Sequence, residues 1–96
     1  MSDIIEGAVK ALNERLAGEG IDGAIKFEIE GEGTVRVDEN GASADDGPAD
    51  CTMFASSDTF REIMDGELNP TNAFMSGRLR IEGDMGLAMK LGSLLA

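Results

Sequence analysis

The stretch "AFMSGRLRIEGDMGLAMKL", residues 73–91, joins two apolar segments through an alternating strand pattern and a Gly-Asp turn. In "RLRIEG" the apolar Leu79 and Ile81 alternate with charged residues, which is typical of a strand with one buried face. Asp84 stands where a helix cap is expected, and the predicted helix at 84–95 is apolar around most of its circumference. The sequence therefore predicts a strand followed by a helix that must be covered on more than one side.

Similar patterns predict the first half of the chain. Apolar residues at helical spacing predict a helix over residues 3–17. Strict alternation in "AIKFEIE" and "TVRVD", with the turn at 31–33 between them, predicts a β-hairpin. Asn40-Gly41 predicts a second turn, followed by a short strand and a loop.

The segment between these two regions should add one strand and two short helices. "DCTMFASS" has the pattern of a strand, and Ser57 or Asp58 is expected to cap a helix that ends at Gly66. Pro70 stands at a position typical of the first turn of another helix. The whole pattern predicts one α+β domain over residues 1–96, with a five-stranded, mainly antiparallel sheet and helices packed on one face.

The composition excludes several classes of function. The net charge of −11 disfavours binding to nucleic acid and to anionic membrane surfaces. The acidic start of the chain lacks the basic region of a signal peptide, and no apolar run approaches the ~20 residues of a membrane span. Cys51, the single cysteine, rules out an internal disulfide. We therefore expect a soluble, cytoplasmic protein without stable membrane insertion.

Residue types that carry catalysis are sparse in the sequence. It contains no histidine, which excludes a Ser-His or Cys-His nucleophile and imidazole ligands for zinc. "GEGIDG" follows a helix instead of a strand, so it is not a dinucleotide-binding turn, and "DENGASADDG" lacks the spacing of a calcium loop. We expect no enzymatic activity, no metal and no cofactor.

Methionine is concentrated where the chain is least charged. Residues 49–96 contain five of the six methionines and three of the four phenylalanines. An ordinary protein core is one explanation, and a surface covered by a second subunit or a ligand is another. Because the flexible thioether suits surfaces that repack around variable partners, we favour a surface that contacts something other than this chain.

Several spacings within residues 49–95 resemble the sterol carrier protein 2 family. They are Gly-x-Leu-x-Pro at 66–70, Ala-Phe-Met-x-Gly at 73–77, Gly-Asp at 83–84 and Ala-Met-Lys-Leu at 88–91. The resemblance implies a sheet with helices on one face, enclosing an apolar tunnel. Members of the family bind sterols, fatty acids, fatty acyl-CoA and other lipids in the tunnel and have no catalysis of their own.

The resemblance also implies a set of lipid-binding residues on the tunnel wall, which are Phe74, Met75, Met85, Met89 and Leu91, with Met53, Phe54, Met64, Leu79, Ile81, Leu94 and Leu95 as further lining. The predicted function is lipid transport by a monomeric sterol carrier whose ligand is a fatty acid, an acyl-CoA, a sterol or an isoprenoid. Two alternatives stay open: a structural or interaction module, and an accessory module that presents isoprenoid or acyl intermediates to partner enzymes.

Overall fold

A computed structural model describes residues 3–16 and 20–95 of the chain. This part folds into helices and strands in the order α1 (Asp3–Leu16), β1 (Ile25–Ile29), β2 (Gly33–Asp38), β3 (Gly41–Ser43), β4 (Cys51–Ala55), α2 (Ser57–Met64), α3 (Pro70–Met75), β5 (Leu79–Gly83) and α4 (Met85–Leu95). The predicted elements are therefore confirmed in kind and order. Residue 17, the predicted end of the first helix, lies outside the described residues.

The five strands form one sheet in the order β3-β2-β1-β4-β5. Strand β1 pairs antiparallel with β2 and parallel with β4, and the β2–β3 and β4–β5 pairs are antiparallel. The prediction of a mainly antiparallel sheet is confirmed. The parallel β1–β4 pair was not foreseen, because the sequence pattern of a strand does not reveal which neighbour it will join.

Only one face of the sheet is apolar. Phe27 lies opposite Val35 on one side and Met53 on the other, and all three are buried. The next position along the strands brings Lys26, Arg36 and Thr52 together on the opposite face. Because side chains alternate along a strand, each helix that contacts the sheet must lie on the apolar side to be buried. The prediction that the helices pack on one face is confirmed.

The opposite face is partly covered by the loop that joins β3 to β4. Lys26 Nζ lies 3.2 Å from Asp46 Oδ1, and Arg36 Nε donates to the Pro48 carbonyl at 2.8 Å. Since both basic side chains project from the polar face, the loop at 44–50 must cross that face to reach β4.

Short side chains set where the later helices begin. Asn69 caps α3 by accepting from the Thr71 amide at 2.8 Å, with Pro70 in the first turn as predicted. Asp84 caps α4 as predicted, because its Oδ1 accepts from the Leu87 amide at 3.1 Å. These two caps fix where α3 and α4 begin.

The predicted cap of α2 was wrong by one or two residues. Ser56, and not Ser57 or Asp58, accepts from the Thr59 amide at 3.1 Å. Ser56 has extended backbone angles, as an N-cap requires, whereas Ser57 is already helical. At the other end Gly66 follows the helix with a φ of 78°, which agrees with its predicted role as the helix stop.

Arg15 joins three helices. It lies in the last turn of α1, and its Nη1 donates to the Leu95 carbonyl at 3.1 Å while its Nη2 donates to the Met64 carbonyl at 2.6 Å. Both acceptors are terminal carbonyls, of α4 and α2, which carry the negative end of the helix dipole. The guanidinium thus satisfies two helix ends with one side chain.

We predict that Arg15→Ala lowers the free energy of unfolding by about 1–2 kcal/mol, because two charge-assisted hydrogen bonds are lost from a partly exposed site. Urea unfolding followed by circular dichroism measures the change. Lys10→Ala, which removes an exposed basic residue from the same helix, is the matched control. Equal losses in the two variants would show that only the charge of α1 matters.

Candidate functional site

One side of helix α4 is buried, and another side is exposed to water. Ala88, Leu91 and Leu95 are almost fully buried against the rest of the domain. Large apolar side chains on α3 and α4 nevertheless stay partly exposed, with exposed fractions of 40% for Phe74, 78% for Met75, 41% for Met85, 49% for Met89 and 44% for Leu94. Single exposed apolar residues are common, but five within a segment of this length form an unusual surface for a protein of this charge.

A cleft lies between α3, α4 and the strands β4 and β5. Its lining residues are Met53, Pro70, Thr71, Phe74, Leu79, Ile81, Ala88, Met89 and Gly92. We call it the α3–α4 cleft. Its volume is about 10 Å³, which is close to the minimum for one water molecule. An apolar tunnel, as the family resemblance implied, is therefore not confirmed.

Two small residues of α4 account for the position of the cleft. Ala88 and Gly92 are four residues apart, so both lie on the same side of the helix. A Cβ atom added to Gly92 would lie 3.7 Å from the Pro70 Cβ, at ordinary contact distance. The helix α3 thus approaches α4 across a surface with almost no side chain.

The walls differ in how tightly they are packed. Met53 and Leu79 are 2% exposed and form the floor on the sheet, whereas Phe74 and Met89 are 40% and 49% exposed and stand at the mouth. An exposed methionine has little packing to lose when it rotates, and its unbranched side chain has several accessible rotamers. The floor of the cleft is thus buried, and its mouth is formed by exposed side chains.

A second, larger cavity lies between α1 and α2. Its volume is about 330 Å³, and its lining residues are Asp3, Ile4, Gly7, Ala8, Ala11, Ser57, Phe60, Arg61, Met64 and Asp65. We call it the α1–α2 groove. The floor is apolar, but the two carboxylates of Asp3 and Asp65 and one guanidinium, that of Arg61, stand among the lining residues.

The structure brings together five of the residues that the resemblance placed on the lipid-binding wall. They line the α3–α4 cleft, and they are Met53, Phe74, Leu79, Ile81 and Met89. Leu91 and Leu95 instead belong to the core beneath α4, where they are 0% and 3% exposed. Met64 lines the α1–α2 groove.

The remaining four residues do not line the cleft. Met75, Met85 and Leu94 are exposed on α3 and α4. Phe54 lies on the polar face of the sheet, where the Arg80 guanidinium stands 4.2 Å from its ring centroid. Met53 faces the helices, so its neighbour in the strand must face the other way, and placing Phe54 in a site on the helical side was wrong.

The sequence reasoning missed four residues of the cleft, namely Pro70, Thr71, Ala88 and Gly92. The predicted wall consisted of large apolar side chains, whereas a cleft between two helices needs small residues on at least one of them. The spacing of Ala88 and Gly92 was the available signal. In the same way, the small residues Gly7, Ala8 and Ala11 on α1 line the α1–α2 groove.

Cys51 is the one thiol of the chain, and it is 1% exposed on the inner face of β4. Burial raises the pKa of this thiol, and the nearby Asp84 carboxylate raises it further. A thiol with a raised pKa is a poor nucleophile at neutral pH. Within residues 3–16 and 20–95, no group of three or more His, Cys, Asp or Glu side chains could hold a metal ion.

The raised pKa of Cys51 predicts a pH dependence of stability. Above about pH 8.5 the thiol ionises in the unfolded chain before it does so in the folded protein, so the free energy of unfolding falls by at most about 1.4 kcal/mol per pH unit. We expect the stability gap between the wild type and Cys51→Ala, measured by urea unfolding, to shrink between about pH 7 and pH 9.5. A constant gap would contradict the shift.

The fold defines the class of this chain: a small α+β domain whose helical side carries apolar cavities. Residues 4–96 match the SCP-2 sterol transfer family, and the chain belongs to this family. The family assignment that the sequence motifs indicated is therefore confirmed. No helix within the described residues is both long enough and apolar enough to cross a bilayer.

Curated relatives share about half of the chain. Human sterol carrier protein 2 is 49% identical over 49 residues, which are 51% of this chain and 9% of that protein. Hydroxysteroid dehydrogenase-like protein 2 of Danio rerio is 52% identical over 48 residues, 50% of this chain and 12% of that protein. The matched segment thus spans only about a tenth of the length of either relative.

Solved structures share the fold over nearly the whole chain. The crystal structure of sterol carrier protein 2 like 2 from Aedes aegypti has a TM-score of 0.78 at 19% identity and covers 94% of each chain. The solution structure of Aedes aegypti sterol carrier protein-2 in complex with palmitate has a TM-score of 0.77 at 20% identity and covers 100% of this chain and 97% of that one. At these identities the likeness shows the fold.

Proposed function

We propose that this chain is a lipid-binding and transfer protein that holds one long-chain lipid in the α3–α4 cleft and performs no chemical step. The observation that carries the proposal is the composition of the cleft in a member of the SCP-2 sterol transfer family. Among the described residues that line it, Thr71 alone has a polar side chain, and the apolar side chains of Phe74 and Met89 stand exposed at the mouth. The palmitate bound by a protein of the same fold gives further support.

The energy for binding comes from taking the lipid chain out of water. Burial of each methylene group contributes about 0.8 kcal/mol, so a sixteen-carbon chain offers on the order of 12 kcal/mol before the costs of association and ordering. Binding to an apolar wall makes this free energy available for any lipid chain that fits. We therefore expect fatty acids, fatty acyl-CoA, sterols and isoprenoids to compete for the site with small differences in affinity.

The cleft must open to admit a ligand. Sites for small molecules have volumes of roughly 300–1,000 Å³, far above the 10 Å³ of the closed cleft. The side chains of Phe74 and Met89 are the natural gate, because rotation toward water costs them little packing. The floor residues Met53 and Leu79 belong to strands and stay in place. Opening thus separates α3 from α4 while the sheet is unchanged.

The α1–α2 groove is larger, but its charges suit a lipid less well. The side chains of Asp3 and Asp65 outnumber that of Arg61, so the lining has a net negative charge that repels a fatty-acid carboxylate. The α3–α4 cleft has no charged side chain among its lining residues. We therefore assign the lipid chain to the cleft.

The same observations favour a non-catalytic monomer in the cytoplasm. The sequence has no histidine to act as a general base, and its one thiol is buried with a raised pKa. A net charge of −11 opposes association between copies of the chain. A free, buried cysteine is compatible with a reducing compartment.

Two glycine substitutions test which cavity holds the lipid. Gly92→Leu places a side chain into the α3–α4 cleft, and Gly7→Leu places the same side chain into the α1–α2 groove, where an added Cβ meets no atom within 4 Å. Both replace glycine inside a helix, where leucine has the higher propensity. We expect Gly92→Leu to weaken binding of a fluorescent sixteen-carbon fatty acid by about tenfold or more, since the added group occupies the space of several methylenes.

Gly7→Leu should bind the fluorescent fatty acid as the wild type does, and urea unfolding checks that both variants are folded. Loss of binding in Gly7→Leu with normal binding in Gly92→Leu would move the lipid to the α1–α2 groove. A wild-type protein that takes up neither a fatty acid nor a sterol would contradict the carrier function itself.

A further inference from the structure

Phe74 and Met89 line the mouth of the cleft, and two further exposed apolar residues, Met75 and Met85, lie close to them in sequence on the same helices. Phe74 and Met75 end α3, and Met85 and Met89 lie on α4. We call them the α3–α4 apolar patch. Phe74 and Met89 both line the cleft, and Met85 precedes Met89 by one helical turn and so shares its face of α4. The patch is therefore continuous with the proposed lipid site.

Leu94 does not belong to this patch. It lies five positions after Met89, which turns it to the other side of α4 in a helix of 3.6 residues per turn. Its exposed fraction is 44%. It offers an exposed apolar control position elsewhere on the same helix.

The patch lies in the part of the chain that is nearly neutral. Residues 69–96 carry three basic and two acidic side chains, whereas residues 1–68 carry five basic and seventeen acidic ones. The acidic side chain next to the patch, Asp84, has one carboxylate oxygen occupied by the Leu87 amide that it caps. The rest of the molecule repels negative surfaces, and the patch does not.

We propose that the α3–α4 apolar patch docks on the surface of an electrically neutral lipid bilayer, a proposal that rests on the proposed carrier function. Phenylalanine and methionine side chains insert into the boundary between head groups and acyl chains, where they leave water without losing hydrogen bonds. A second copy of the chain is a poorer partner, because it would bring two charges of −11 together.

Docking in this orientation gives the lipid a direct path. Phe74 and Met89 belong both to the patch and to the mouth of the cleft, so contact with the bilayer places the mouth at the level of the acyl chains. A lipid then passes from the bilayer into the cleft without crossing water. The side chains displaced from the mouth remain in an apolar environment.

The charge distribution sets the preference among membranes. An anionic bilayer repels the acidic body of the protein, and salt screens this repulsion beyond a Debye length of about 10 Å at 0.1 M. Binding to anionic vesicles should therefore be weaker than binding to neutral ones and should increase with salt. A docking mode driven by basic residues would show the opposite dependence.

Flotation with vesicles of phosphatidylcholine, and with vesicles that contain phosphatidylglycerol, tests the surface. Met75 is the best residue to change, because it is 78% exposed and does not line the cleft. We expect Met75→Glu to lower the fraction bound to phosphatidylcholine vesicles by about tenfold and Met75→Gln to lower it less. Leu94→Glu, which adds the same charge elsewhere on α4, should bind as the wild type does.

Uptake of the fluorescent fatty acid in the absence of vesicles distinguishes lipid binding from docking on the membrane. The proposal predicts normal uptake by Met75→Glu together with lost flotation. Equal flotation of Met75→Glu and Leu94→Glu, or no flotation of a wild type that takes up the fatty acid, would overturn the docking surface. A wild-type dimer that Met75→Glu dissociates would overturn it in favour of a second copy. Flotation without fatty-acid uptake would overturn the carrier function instead.

Discussion

Asp50 joins the first half of the chain to the second, and the position of the cleft depends on it. Its amide donates to the Ala24 carbonyl at 2.9 Å, its Oδ2 accepts from the Ala24 amide at 3.1 Å, and its carbonyl accepts from the Asp84 amide at 3.0 Å. One residue therefore fixes both the start of the parallel β1–β4 pair and the start of α4. A Cβ atom on Gly83, which has a φ of 101°, would lie 2.5 Å from the Asp50 carbonyl oxygen, so this approach requires glycine.

The rest of the site follows from this junction. With β4 held beside β1, the polar face of the sheet is partly covered by the loop at 44–50, and the apolar face must take all four helices of the described chain. Helix α4 then crosses β4 and β5 with its small residues Ala88 and Gly92 toward α3. The core beneath α4 is buried, whereas Met89 at the mouth is 49% exposed.

Local pattern was enough to predict the elements, the faces of the strands and the cap of α4, because each depends on neighbours within a few residues. The pair Met53 and Phe54 was predicted less well. Because neighbouring residues of a strand face opposite sides of the sheet, only one of the two can face the helices, although the family resemblance had placed both on the lipid-binding wall. Local pattern could not predict the parallel β1–β4 pair, since this pair joins residues that are about 25 positions apart. The same holds for the cleft, whose small residues Ala88 and Gly92 matter only because α3 packs against them.

The central claim is that the apolar side chains between α3 and α4 separate around a lipid. The most direct measurement is native mass spectrometry of the freshly purified protein, followed by solvent extraction and identification of what is released. We expect part of the protein to carry a discrete added mass that extracts as one lipid per chain, and we expect a smaller lipid-bound fraction in Gly92→Leu. A bare mass, in a folded protein that also fails to take up added fatty acid, would contradict the account and show that the cleft stays closed.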